Sequence, residues 1–180
     1  MRTIYAYVVL VLLYQASEAL VMNRPTRRRS ARDWTTSLIV VPYYLILTGA
    51  PLEHLYWSTK PGLLNSIPGA LFFLAATALR VRGHLDLKRG FSMYIEELED
   101  QQLVQSGIYA HIRHPLYLGN LCLFVACPLF LAVGWTWVVT VLGFLGILAR
   151  IRIEERFLLK HLEGYAQYRE ETWALIPGVF

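Results

Sequence analysis

Charged residues are scarce in this chain of 180 residues: Asp, Glu, Lys and Arg together make up 17% of it, whereas hydrophobic residues make up 56%. Long stretches of the chain carry almost no charge. A soluble domain needs charged side chains over its whole surface, so this composition excludes an ordinary soluble protein. It is typical of an integral membrane protein, and the length favours a single domain.

Cysteines and the common catalytic motifs are also scarce. Cys122 and Cys127 lie five positions apart, where they would not share a helix face, so we expect apolar packing rather than a disulfide or a metal site. His84 and His161 lack partners at the spacing of metal ligands, and no metal is predicted. The chain has no G-x-G-x-x-G after a strand, no Walker motif and no G-x-S-x-G, so a nucleotide-like cofactor would bind without a Rossmann fold.

What the chain does have is five apolar stretches, which lie roughly at residues 3–22, 34–52, 63–79, 116–133 and 135–149. A membrane span needs ~20 apolar residues, so the first two are long enough, the third is marginal and the last two are short. Only Gly134 separates the last two, which predicts a tight helical hairpin whose second helix continues past Arg150; a re-entrant pair is the alternative. The first stretch has features of a signal peptide, but we expect it to remain as a membrane helix. The predicted fold is therefore all-α, with about five transmembrane helices.

The basic residues indicate the orientation of these spans. Fifteen of the seventeen Lys and Arg residues fall after the first, third and fifth stretches, which five spans would place on one side of the membrane, and only Arg2 and Lys60 fall on the other. The positive-inside rule makes the basic side cytoplasmic, with the N-terminus outside and the C-terminus inside. Topology and anionic lipid head groups therefore explain the net charge of +4, and no nucleic-acid partner is predicted.

The polar segments on that side are the expected location of a site. We predict one membrane domain over residues 1–180, with three spanning helices in 1–79 and a cofactor-binding and catalytic part in 80–180. The second part comprises the hairpin 116–149 and an amphipathic tail, 150–180. The two polar segments that flank the hairpin hold four of the five histidines and most of the acids, although we expect the acidic run at 96–100 to be a solvated face.

One motif combines a turn, a basic pair and a helix start, in the sequence S-G-I-Y-A-H-I-R-H-P-L-Y at residues 106–117. Gly107 permits a turn, and Pro115 suits the first turn of a helix. Arg113 and His114 would then lie at a helix N-terminus, whose free N–H groups and positive dipole favour an anion such as a carboxylate or phosphate. The alternative is that both residues only anchor the helix at lipid head groups.

A pair of acids, Glu154 and Glu155, lies just beyond the last apolar stretch. Acids so close to a membrane helix are costly unless they are paired or functional, so they could hold a cationic ligand such as an ammonium or sulfonium. An intrahelical pair of Arg150 with Glu154 is the alternative.

The tail also carries aromatic residues. Gly164 is expected to break the helix, and Tyr165, Tyr168 and Trp173 follow it. These aromatic side chains could line an apolar or cationic pocket, or they could form an interfacial belt.

At these motifs, about the last hundred residues resemble the isoprenylcysteine carboxyl methyltransferase and phospholipid methyltransferase superfamily. The matching segments are L-R at 79–80, G-F-S at 90–92, L-V-Q-S-G-I-Y at 103–109, R-H-P-L-Y-L-G at 113–119, E-E-R-F-L at 154–158 and G-Y-A-Q-Y at 164–168. The order and spacing of several motifs make this resemblance specific. The G-x-G element of some phospholipid methyltransferases is not clear here, which counts modestly against a strict phospholipid enzyme.

The resemblance implies S-adenosylmethionine as the cofactor, bound in a cytosolic pocket, and a lipidic or prenylated acceptor that enters from the bilayer. The loop 103–109 would contact the adenosine, and His114 and Tyr117 would contact the methionine end. The implied cofactor-binding residues are Leu103, Val104, Gly107, Tyr109, His114, Tyr117, Glu154 and Glu155. The implied catalytic residues are Arg113 and Glu155.

The physical chemistry of these residues fits a methyl transfer to a carboxylate. The carboxylate of an isoprenylcysteine-like acceptor is ionised near neutral pH, so Arg113 could orient it without a general base. An amine acceptor would need a base, for which Glu155 is the nearest candidate. Two other classes stay open: an NADPH-dependent membrane reductase of the sterol-reductase type, which shares the Arg-His-Pro region, and a non-catalytic membrane scaffold.

Overall fold

The structure, a computed structural model, describes residues 2–21, 34–57, 59–87 and 103–179. The arginine-rich segment after the first helix, the acidic run at 96–100 and the G-F-S motif at 90–92 lie outside the described residues.

All regular structure in the described residues is helical, which confirms the predicted all-α class. Two short 3-10 helices, Trp34–Thr36 and Gly107–Ala110, precede α2 and α4. The α-helices are α1 (Arg2–Val21), α2 (Ser37–Trp57), α3 (Leu63–Leu87), α4 (Pro115–Leu131), α5 (Thr136–His161) and α6 (Tyr165–Glu171).

Each of the five predicted apolar stretches corresponds to a helix, and α5 continues past Arg150 as expected. Four of these helices, α1, α2 with its preceding turn, α3 and α5, are long and apolar enough to cross a membrane. Helix α4 has 17 residues and is about 26 Å long at a rise of 1.5 Å per residue, slightly shorter than the hydrocarbon core of a bilayer. The predicted boundary at residues 79 and 80 lies inside α3, which continues to Leu87.

Helix α4 is the central helix of the described structure. Most of its side chains are buried, and it packs most extensively on α3, whereas the other long helices expose many large apolar side chains that suit a lipid environment. The contact with α3 is close, because a Cβ atom on Gly69 would lie 2.6 Å from the Cα atom of Phe130. Small residues at such contacts are typical of membrane helices, which gain packing energy only at short separation.

A buried ion pair joins three of these helices near the start of α4. Arg80 on α3 donates to Glu18 on α1 through Nε and through Nη2, the latter at 2.7 Å from Oε2. Its Nη1 donates to Asn120 Oδ1 on α4 at 2.8 Å. The guanidinium therefore connects α1 and α3 to the first turns of α4.

The carboxylate of Glu53 on α2 caps the N-terminus of α5. Its Oε1 accepts from the backbone N–H groups of Gly134 and Trp135, both at 2.7 Å. Its Oε2 accepts from the N–H of Thr136 at 2.8 Å and from the Thr136 hydroxyl at 2.7 Å. Four donors at a helix N-terminus are thereby satisfied by one buried acid on α2.

Candidate active site

The loop before α4 is held in place by an acid from α3. Asp86 Oδ2 accepts from the backbone N–H of Ile108 at 2.8 Å and from Arg82 Nε at 2.9 Å. Gly107 has φ +65°, and a Cβ atom there would collide with the Asp86 carboxylate. The predicted turn at Gly107 is confirmed, and both its conformation and its contact require glycine.

The C-terminal segment then pairs with this loop. The N–H of Arg113 donates to the Trp173 carbonyl at 2.8 Å, and the N–H of His114 donates to the Ala174 carbonyl at 3.0 Å. In the opposite direction, the N–H of Trp173 donates to the backbone carbonyl of His111 at 3.1 Å. His114 precedes Pro115, the first residue of α4, so the basic pair lies at the helix N-terminus as predicted.

The guanidinium of Arg113 is largely buried and fixed by the protein itself. Its Nε donates to Glu155 Oε1 at 2.9 Å. Its Nη1 donates to the backbone carbonyl of Arg169 at 2.9 Å and to the carbonyl of Thr172. Three elements, α5, α6 and the segment after α6, therefore set the direction in which this cation points.

Glu155 lies at the centre of a cluster of basic side chains. Besides Arg113, its Oε1 lies 3.3 Å from His114 Nε2, and its Oε2 lies 3.3 Å from Arg169 Nε. These contacts engage both of its oxygens. The structure thus brings Arg113, His114 and Glu155 together, and it adds Arg169, which the sequence analysis counted only as a topology signal.

Glu154 belongs to a separate set of partners. The Tyr117 hydroxyl donates to Glu154 Oε2 at 2.5 Å and accepts from Arg150 Nε at 2.9 Å. The intrahelical relation between Arg150 and Glu154 is therefore bridged by a tyrosine from α4. The rings of His114 and Tyr117 are stacked, with centroids 5.5 Å apart. The cluster around Glu155 and the contacts of Glu154 therefore lie side by side.

The loop residues with implied cofactor contacts lie next to α6. Tyr109 is buried, and its carbonyl accepts from the Tyr168 hydroxyl at 2.7 Å. Leu103 and Val104 are half-buried, and Leu103 approaches the turn at Gly164, where its Cδ2 atom would lie 3.8 Å from an added Cβ atom. The loop 103–109 therefore packs against α6 and the turn that precedes it.

The tyrosines of α6 are neutral. Burial raises the pKa of Tyr168 to about 12, with the charge of Arg113 opposing the shift. Burial, followed by the charge of Glu155, raises the pKa of Tyr165 well above its ordinary value. Gly164, with φ +78°, lies in the predicted break of the helix, between the end of α5 at His161 and the start of α6 at Tyr165. Because Tyr165 and Tyr168 are both buried, they do not form an interfacial belt.

Two contributors to the site had no clear signal in the sequence. Asp86 looks like an ordinary polar residue at a helix end, and the Thr172 carbonyl is a backbone group that side-chain patterns do not reveal. Within the described ranges, no three His, Cys, Asp or Glu side chains converge in a way that could hold a metal ion.

The sequence profile of the isoprenylcysteine carboxyl methyltransferase family matches residues 69–160, just over half of the chain. The chain belongs to this family. The match begins in α3 and includes Arg113, His114, Tyr117 and both glutamates, which confirms the resemblance inferred from the motifs. Family membership places this protein among membrane methyltransferases.

Three relatives differ in the acceptor that their names give. The chain is 27% identical to a methanethiol S-methyltransferase of Crocosphaera subtropica, over 84% of the chain and 68% of the relative. It is 30% identical to a methanethiol S-methyltransferase of Mycobacterium tuberculosis, over 74% of the chain and 62% of the relative. It is 30% identical to a protein-S-isoprenylcysteine O-methyltransferase of Dictyostelium discoideum, over 47% of the chain and 36% of that relative. The chain thus spans about two thirds of the first two relatives and about a third of the last.

Proposed function

We propose that this protein transfers a methyl group from S-adenosylmethionine to the carboxylate of an isoprenylcysteine-like or other lipidic acceptor that reaches the site from the membrane. The observation that carries the proposal is the buried guanidinium of Arg113, held at the N-terminus of α4 by Glu155 and by two carbonyls of the C-terminal region. A fixed guanidinium at the positive end of a helix dipole is suited to hold an anion.

The residues present fit the proposed methyl donor. S-adenosylmethionine carries a carboxylate and an ammonium, and when bound it supplies a methyl group on a positively charged sulfur. His114 and the N-terminus of α4 would hold the carboxylate. Glu154 would hold the ammonium, because its Oε1 makes no hydrogen bond to any described residue and keeps its accepting capacity. The loop 103–109 would hold the adenosine.

The chain's own groups can contribute to methyl transfer without proton chemistry. A carboxylate acceptor is already ionised at neutral pH, so Arg113 needs only to orient one of its oxygens. Glu155 positions Arg113 and balances its charge. The segment after α6 pairs with the loop before α4 and so fixes the position of the basic pair. Displacement at a carbon atom depends strongly on alignment, which such a fixed site provides.

A thiol acceptor is the second candidate. The two methanethiol S-methyltransferases align with 84% and 74% of the chain, against 47% for the isoprenylcysteine enzyme. The same guanidinium would stabilise a thiolate, but a free thiol has a pKa of ~8.5 and must first lose its proton. Family membership favours either methyl transfer over the NADPH-dependent reductase and over the scaffold.

The same proposal includes the predicted orientation, with the N-terminus outside and the site on the cytoplasmic side. The candidate site and the basic residues Arg82, Arg113, Arg152 and Arg156 lie at one end of the helices, whereas Lys60 lies at the other. Labelling of single cysteines introduced at positions 60 and 163, with reagents that do not cross membranes, would test this arrangement.

The first experiment measures binding and transfer by the protein purified in mild detergent. We expect binding of S-adenosylmethionine, no binding of NADPH, and methyl transfer to N-acetyl farnesylcysteine that exceeds transfer to a short alkanethiol. Transfer to the thiol alone would establish the second candidate. Binding of NADPH alone would establish the reductase, and binding of neither by folded protein would favour the scaffold.

Arg113→Lys tests the guanidinium directly. The substitution keeps the charge but cannot make the fork of hydrogen bonds. Losing two charge-assisted bonds at ~1.5–3 kcal/mol each predicts a fall in kcat/KM of about 100-fold or more. Arg152→Lys, an exposed position on α5, is the matched control and should retain wild-type activity. Wild-type kcat/KM in Arg113→Lys would refute the proposed role.

A further inference from the structure

Helix α6, which supplies a backbone carbonyl to Arg113, also carries a buried hydroxyl without a hydrogen-bond partner among the described residues. Tyr165 is 2% exposed, and its hydroxyl oxygen is buried without a hydrogen bond to any atom of the described residues. Three positions further along α6, the hydroxyl of Tyr168 donates to the Tyr109 carbonyl at 2.7 Å. The two tyrosines lie edge to face, with centroids 5.8 Å apart, so the same short helix carries one satisfied and one unsatisfied hydroxyl.

The unsatisfied hydroxyl is costly, and packing alone does not explain it. Burying a hydroxyl without a hydrogen bond costs free energy that a phenylalanine of the same shape would not. Buried polar groups in folded proteins nearly always have a partner, and exceptions are often found at functional sites. A ligand atom that the hydroxyl contacts only when the site is filled would account for it.

The surroundings define the chemistry of that atom. The neutral Tyr165 hydroxyl lies within the electrostatic influence of Glu155 and Arg113. In Arg113 the Nε and Nη1 atoms are engaged by the protein, whereas Nη2 makes no hydrogen bond to a described residue. The Tyr165 hydroxyl and Arg113 Nη2 are thus two hydrogen-bond donors without an acceptor among the described residues, one neutral and one charged. Together they suit a carboxylate oxygen.

We propose that Tyr165 is a ligand-binding residue whose hydroxyl donates a hydrogen bond to a carboxylate that Arg113 also holds. This inference rests on the proposed methyltransferase function. The carboxylate belongs either to the methyl donor or to the acceptor, and the two sources are separable because each can be titrated alone.

The test is Tyr165→Phe, titrated with S-adenosylhomocysteine in one arm and with N-acetyl farnesylcysteine in the other. Loss of one hydrogen bond to a charged oxygen should weaken binding about tenfold or more. Weaker binding in the first arm assigns the hydroxyl to the donor's carboxylate, and weaker binding in the second assigns it to the acceptor's. If the wild type binds the ligands and Tyr165→Phe binds them with the same affinity in both arms, the inference is overturned and the proposed function stands. Failure of the wild type to bind either probe would overturn both.

Two control variants separate binding from folding. Tyr14→Phe removes another buried hydroxyl without a described partner, on α1, and should leave both affinities at the wild-type value. Without ligand, Tyr165→Phe should melt at or above the wild-type temperature, because no hydrogen bond within the described fold is lost. A lower melting temperature of Tyr165→Phe, or weaker ligand binding by Tyr14→Phe, would overturn the inference.

Discussion

Glu53→Gln is expected to destabilise the protein strongly, although Glu53 lies at the far end of α5 from the site. The glutamine keeps one carbonyl oxygen, which can still accept from Gly134 and Trp135 but without a charge. Its amide NH2 group replaces Oε2 and faces the N–H of Thr136, which loses its acceptor.

The size of the effect follows from these contacts. Two hydrogen bonds to a charged oxygen become neutral, at a loss of about 1 kcal/mol each, and one buried N–H is left unsatisfied at about 1–3 kcal/mol. The loss of the negative charge at the helix N-terminus adds to this cost. Glu53→Gln should therefore lower the free energy of unfolding by about 3–5 kcal/mol, and the melting temperature of a chain of this size by roughly 10 °C or more.

The assay uses a thiol-reactive fluorescent maleimide during heating in detergent. All variants are made in a Cys122→Ala background, because Cys122 is only half-buried and would react before unfolding. Cys127 in α4 is fully buried, so its labelling then reports unfolding of the helices. Thr136→Val, which removes only the hydroxyl contact to Glu53, should cost about 1 kcal/mol. Glu163→Gln, at an exposed position, is the charge-matched control. The capping role of Glu53 would be refuted if Glu53→Gln melted within 2 °C of the control.

Two further predictions concern the packing of the helices. Glu18→Leu leaves the buried guanidinium of Arg80 without its carboxylate and should cost about 3–5 kcal/mol, whereas adding Arg80→Met should recover most of the loss; a double variant as unstable as Glu18→Leu would contradict this. Gly69→Ala places a Cβ atom against the backbone of Phe130 and should cost about 1–3 kcal/mol, measured as a lower melting temperature than that of Gly62→Ala, where an added Cβ atom meets nothing within 4 Å.

The helices were predictable because the bilayer imposes a simple pattern on the sequence. Apolar length located five helices, and Pro115 located the start of α4. The end of α3 was not predictable in the same way. Its last two turns carry Arg80, Arg82 and Asp86, which interrupt the apolar run. The helix continues because Arg80 pairs with α1, Arg82 pairs with Asp86 one turn later, and Asp86 also accepts from the loop before α4.

Partners distant in sequence were not predictable. Glu18 interrupts an apolar stretch, and Glu53 lies near the end of another, but nothing local indicates that either is paired. Their partners lie 62 and 81 to 83 positions away along the chain. Only the packing of the helices brings such groups together.

In the candidate site, even the contacts of adjacent residues could not be predicted from the sequence. The sequence predicted that Arg113, His114 and the two glutamates lie on one side of the membrane, and it read Glu154 and Glu155 as one acidic pair for a cationic ligand. Neighbouring residues on a helix point about 100° apart, so two adjacent acids contact different partners. Glu154 contacts Tyr117, and Glu155 contacts Arg113.

The segment after α6 pairs with the loop before α4, and this pairing determines when the candidate site is complete during synthesis. The guanidinium of Arg113 and the backbone N–H of His114 depend on carbonyls of residues 169–174. The ribosome needs roughly 3–12 s to add the residues between Arg113 and Ala174, at 5–20 residues per second. The growing chain therefore holds its helices without a finished site, and the arginine acquires its fixed direction only after the last of these residues has emerged.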